Sequence, residues 1–223
     1  MTAPVQIAVA SAPLKRAKAA MILLHGRGAS AESMLSLAEV FAQPDIACLA
    51  PQAPGGTWYP YSFLAPIEQN EPFLSRSLAT VGQLVDDLSA QGFGPERLVL
   101  LGFSQGGCLA LEFAARNAQA YGAVIGLSAG LIGPQGTPRA YAGSLAGTRV
   151  FLGCSDSDAH IPLHRVHESA RVLGDLGADV VERIYPGMGH TINDDEIREV
   201  RIALAGVLHP QPEASGEKTA SRR

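Results

Sequence analysis

Short unbroken apolar runs alternate along this chain with longer stretches whose apolar residues recur every three or four positions. Ala20 to Leu24 is such a run, closed by His25-Gly26, and reads as a strand buried on both faces. Ser30 then offers a helix cap, and Met34, Leu35, Ala38 and Phe41 follow at helical spacing. Ile46 to Ala50 predicts the next strand, stopped by Pro51 and Pro54. Pro72 predicts the first position of a further helix, with Asn70 nearby as its cap. Leu74, Leu78, Val81, Val85 and Leu88 form that helix's apolar stripe, and Gly92 and Gly94-Pro95 end it. Arg97 to Leu101, Ala123 to Leu127, Arg149 to Cys154 and Val180 to Tyr185 predict strands. Helices are expected over Gly107 to Asn117, Leu163 to Leu176 and Asp194 to Leu208, with Asp194 or Asp195 capping the last. Val5 to Ala10 adds a strand at one edge.

Strands alternating with helices imply an α/β fold, with a mostly parallel central sheet covered on both faces. In such sheets ligands bind beyond the carboxyl ends of the strands. The 223 residues suit one domain, expected over 1–209, with a polar tail over 210–223 expected to be disordered. Residues 51 to 72 carry five prolines and four aromatics and predict an ordered loop rather than a linker.

Composition narrows the classes. At 47% hydrophobic and 17% charged, the chain reads as globular and soluble. A net charge of −4 argues against a nucleic-acid surface. Cys48, Cys108 and Cys154 lack the spacing of a metal or redox pair, so they read as reduced thiols in a cytoplasmic protein. No apolar stretch reaches a membrane-spanning length, and no signal peptide is apparent, so integral membrane association is not expected.

The chemistry concentrates at Gly102-Phe103-Ser104-Gln105-Gly106, a G-x-S-x-G set between a predicted strand and a predicted helix. Such a turn lifts the serine hydroxyl above the sheet edge. A serine needs a base, and the base needs a group to orient it. The expected order is serine, acid, histidine. The strand Arg149 to Cys154 runs into Ser155-Asp156-Ser157-Asp158, and the last strand into Pro186-Gly187-Met188-Gly189-His190. Ser104, Asp158 and His190 are therefore the expected nucleophile, acid and base, with Asp156 as the alternative acid. The backbone N–H groups of Gln105 and Arg27 are the expected oxyanion donors. His160, His164 and His167 have a spacing that resembles metal ligands, but nothing completes a site, so no metal is expected. Cys108 reads as a core thiol.

These residues resemble the carboxylesterase and acyl-protein thioesterase family of α/β-hydrolases. The likeness rests on Leu24-His25-Gly26, Pro51-Gln52-Ala53-Pro54, Trp58-Tyr59, Gly102-Phe103-Ser104-Gln105-Gly106-Gly107, Leu127-Ser128, Asp158 with Ile161-Pro162, and Gly189-His190. It implies an α/β-hydrolase fold with no large lid domain, and hydrolysis of short- to medium-chain carboxylic esters without a cofactor. Thioesters or lysophospholipids are the alternative substrates, and a non-catalytic binding protein on this fold is the distant one. A small-molecule ester is the implied partner, and monomer and homodimer both stay open. His25, Trp58 and Tyr59 are expected to wall the substrate pocket. The chain departs from many members in reading Cys154-Ser155 where they have His-Gly, and in carrying Arg27, whose guanidinium would favour polar or acidic substrates.

Overall fold

A computed structural model describes residues 6–209. The tail expected to be disordered lies outside the described residues. Strand β1 covers Ile7–Ser11, β2 Ala19–Leu24, β3 Ile46–Pro51, β4 Leu98–Phe103, β5 Ala123–Leu127, β6 Arg149–Ser155 and β7 Asp179–Tyr185. They form one seven-stranded sheet in the order β1-β3-β2-β4-β5-β6-β7. Strand β1 is the antiparallel edge, and all other neighbours pair in parallel. The helices are α1 Ala31–Phe41, the short α2 Ile67–Asn70, α3 Phe73–Ala90, α4 Gln105–Arg116, α5 Leu163–Asp175 and α6 Asp194–Leu208.

The alternation of side chains along each strand builds two cores. In β2, Ala20, Ile22 and Leu24 face a core shared with α3, α4 and α5, among them Leu74, Val81, Leu111 and Val166. Ala19, Met21 and Leu23 face the other core, with Met34 and Phe41 of α1 and Val200 and Leu204 of α6. Burial on both faces explains why the parallel strands read as unbroken apolar runs.

Two expected caps fall elsewhere. Asn70 closes α2 and is fully buried. Its carboxamide accepts from the Tyr61 amide and donates to the Ser62 carbonyl, so it fixes the proline-rich loop instead of capping α3. The cap of α6 is Asn193, whose side chain accepts from the Glu196 amide while Glu196 accepts from the Asn193 amide. Asp194 and Asp195 lie in the first turn.

The sheet meets its most confined neighbour where β4 passes into α4. A methyl group on Gly102 would overlap the Gly106 carbonyl, and one on Gly106 would land on the Leu24 carbonyl. At Gly107 it would stand 2.7 Å from the Ala129 side chain. The three glycines let the helix start directly against β2 and β4. Gly106→Ala should therefore cost about 3 kcal/mol and lower the thermal midpoint by about 6–12 °C. A midpoint within about 2 °C of the wild type would contradict this packing.

Candidate active site

Ser104 is the single residue between β4 and α4, at φ 54° and ψ −122°. This is a region that a residue with a side chain seldom occupies. The turn is held by its own backbone, since the Ser104 amide donates to Leu127 at 2.9 Å and its carbonyl accepts from Cys108 at 2.9 Å.

The loops after β6 and β7 bring the other two groups to it. His190 Nε2 lies 2.9 Å from Ser104 Oγ, and His190 Nδ1 lies 2.7 Å from Asp158 Oδ2. An ionised carboxylate only accepts, so Nδ1 carries the proton and Nε2 is left to accept from the serine hydroxyl. The Asp158 side chain is fully buried. Burial works against its charge, but hydrogen bonds from His190 and from the His160 and Ile161 amides outweigh that and hold its pKa below the ordinary carboxyl value.

Asp156, the alternative acid, turns the other way. Its carboxylate accepts from the Gly187 amide at 2.8 Å, and Ser155 Oγ accepts from the Gly189 amide at 3.0 Å. The acid loop and the histidine loop are thus stitched together by residues flanking the acid itself. Gly187 and Gly189 sit at φ 64° and 78°, where glycine carries no steric cost.

Arg27 follows β2, and Gln105 is the first residue of α4. Neither backbone amide donates to an acceptor among the described residues. Their side chains share a second task. The Arg27 guanidinium donates to Thr57 Oγ1 and to the carbonyls of Tyr59, Pro60 and Tyr61 at 2.7–2.9 Å. Gln105 accepts from the Trp58 amide and donates to the Tyr59 carbonyl. Loop 57–61 is clamped from both sides, and the guanidinium expected to meet a polar substrate is occupied with that loop.

A cavity of about 650 Å³ opens beside Ser104, lined by Tyr59, Phe63, Phe103, Ile161 and His160 together with the serine and His190. Tyr59 stands where a pocket wall was expected. His25 and Trp58 do not. His25 is fully buried, with Nδ1 on the Gly26 carbonyl and Nε2 accepting from the Ala53 amide. Burial lowers its pKa, against the opposing pull of the Gly26 hydrogen bond. Trp58 donates its indole N–H to the His25 carbonyl and faces a separate groove beside Phe73 and Arg76 of α3. Both are supports beneath the loop after β2, because their ring nitrogens are taken up by backbone groups. Another cavity of about 680 Å³ lies by Arg16, Glu39 and Asp45, at the opposite ends of the parallel strands and without a histidine.

The three histidines with ligand-like spacing part company. His160 packs edge-on against His190, His164 is exposed on α5, and His167 pairs with Glu182 at 2.6 Å. Among the described residues no three histidine, cysteine or acidic side chains converge on a metal position. Cys48, Cys108 and Cys154 are buried and unbridged. No helix among the described residues is long and apolar enough to cross a membrane.

The profile of the phospholipase/carboxylesterase family matches residues 5–207 of this chain. The chain belongs to that family. It is thereby one of the carboxylesterase-type hydrolases, and its sheet is that of the α/β-hydrolase fold. It is 43% identical to a phospholipase/carboxylesterase from Dyadobacter fermentans of known structure, over 92% of this chain and 98% of that one, with a TM-score of 0.88. An acyl-protein thioesterase 1 of Gibberella zeae is 35% identical over 126 residues, 54% of this chain and 52% of the thioesterase, so this match spans about half of that relative. A second acyl-protein thioesterase 1, from Emericella nidulans, is 26% identical over 87% of this chain and 92% of its own length.

Sequence reasoning missed the double clamp on loop 57–61, the stitching by Ser155 and Asp156, and one buried acid. Glu196 lies behind β6 against Gly153, with Oε1 unpartnered. Burial raises its pKa from 4.5 to about 7. Between those values the folded protein holds a proton that the unfolded chain has released, so rising pH withdraws stability across that window. Glu196→Gln should remove this loss, on the order of 2–3 kcal/mol. Its melting midpoint, relative to the wild type, should climb between pH 5 and pH 7.5; parallel curves would contradict the assignment.

Proposed function

We propose that the protein is a serine carboxylic-ester hydrolase that acts on short- to medium-chain esters in the cytoplasm through an acyl-enzyme. The observation that carries this reading is the hydrogen-bonded chain from Ser104 Oγ through His190 to Asp158. His190 Nε2 takes the hydroxyl proton as Ser104 attacks the acyl carbonyl. The new oxyanion is held by the Gln105 and Arg27 backbone N–H groups, which no other acceptor among the described residues claims. The imidazolium is stabilised by the Asp158 carboxylate, whose depressed pKa keeps it charged. His190 then returns the proton to the leaving alcohol, and the C–O bond breaks to leave acyl-Ser104 and the free alcohol. Water, deprotonated by the same imidazole, repeats the attack and releases the acid.

Thioester cleavage runs through the same steps with a thiol as leaving group, and the thioesterases among the relatives favour it as the second reading. A non-catalytic binding role would leave the alignment of three groups at 2.7–2.9 Å without purpose.

Ser104→Ala should lower kcat on p-nitrophenyl butyrate by on the order of 10⁴-fold while the melting midpoint stays close to the wild type. Loss of less than about tenfold would refute the mechanism.

A further inference from the structure

Most polar side chains that line the cavity are already engaged. Both Nη groups of Arg27 are bound to loop 57–61, the Gln105 carboxamide is bonded at both ends, and Ser62 Oγ accepts from the Leu64 amide. His160 differs. It lines the same cavity and is exposed, and neither ring nitrogen has a hydrogen-bond partner among the described residues. Its ring stands edge-on to that of His190, with centroids 4.7 Å apart and planes at 73°. Its amide donates to Asp158 Oδ1 at 2.8 Å, so the carboxylate that orients His190 also fixes the backbone of His160.

The hydrolase reading, on which this inference rests, assigns a side to the two ends of the substrate. The acyl oxygen faces the Gln105 and Arg27 amides. The leaving oxygen must come within hydrogen-bond reach of His190 Nε2, because that atom returns its proton. The first carbons of the leaving alcohol therefore pass the rings packed against His190, which are Phe103 at 5.0 Å and His160 at 4.7 Å between centroids, and of these two His160 carries polar atoms. A neutral imidazole presents one donor and one acceptor, which matches a hydroxyl group and finds nothing in an alkyl chain.

We infer that His160 is a specificity-determining residue that reads the leaving group, favouring alcohols with a second hydroxyl close to the ester oxygen, as in glycol and polyol monoesters, over alkyl alcohols of equal size.

The test compares 2-hydroxyethyl butyrate with propyl butyrate, which share an acyl group and differ by a hydroxyl for a methyl. The wild type should prefer the hydroxyethyl ester in kcat/KM. His160→Phe keeps a flat ring beside His190 but has no ring nitrogen, and it should reduce that preference by roughly three- to tenfold. His160→Gln, which keeps a donor and an acceptor, should hold the ratio nearer the wild type. A ratio unchanged in His160→Phe, or both esters slowed equally in the Phe and Gln variants, would overturn the inference and leave His160 as packing for His190. A wild type that cleaves neither ester and whose Ser104 resists a fluorophosphonate would instead overturn the hydrolase reading, and the inference with it.

Discussion

The close approach of β4, β2 and the first turn of α4 is the constraint on which the site depends. Ser104 can project from the sheet edge only because the chain reverses within one residue, at a backbone conformation that is costly for serine. Gly102, Gly106 and Gly107 admit that reversal by leaving no side chain between strand and helix. The cost is borne by the two cores, which bury β4 through Leu98 and Leu100 on one face and Val99 and Leu101 on the other. A rigid sheet thus holds one strained residue at the wall of the cavity.

The same economy appears around it. Arg27 and Gln105 leave their backbone amides without an acceptor among the described residues and use their side chains to clamp loop 57–61, so the cavity wall and these two free amides are set by the same two residues. Ser155 and Asp156 tie the histidine loop to the acid loop, so Asp158 and His190 share one framework. The Ser155 hydroxyl has a definite partner in the Gly189 amide.

The strands were legible because burial on both faces writes itself as an unbroken apolar run, and the helices because burial on one face writes itself as a period. That Ser104, Asp158 and His190 meet was legible because each follows a strand of a parallel sheet, and such ends converge. Asp158 was the expected acid and does face the histidine, but Asp156 stayed open as the alternative, since two acids on one short loop differ only in the direction their side chains take. His25 and Trp58 were expected in the pocket with the family resemblance, yet partners in the Ala53 amide and the His25 carbonyl hold them below it. Asn70 and Asn193 show the same limit, because a cap is decided by local geometry that several polar residues in a row could satisfy.

The central claim is that His190, oriented by Asp158, makes the oxygen of Ser104 a nucleophile. Intact-mass analysis of the protein treated with a fluorophosphonate measures this most directly. The account predicts one adduct per chain, mapped to Ser104 by peptide sequencing, with a labelling rate that falls by on the order of 10³-fold in His190→Ala. An adduct on another residue, or a rate indifferent to the loss of the imidazole, would contradict it.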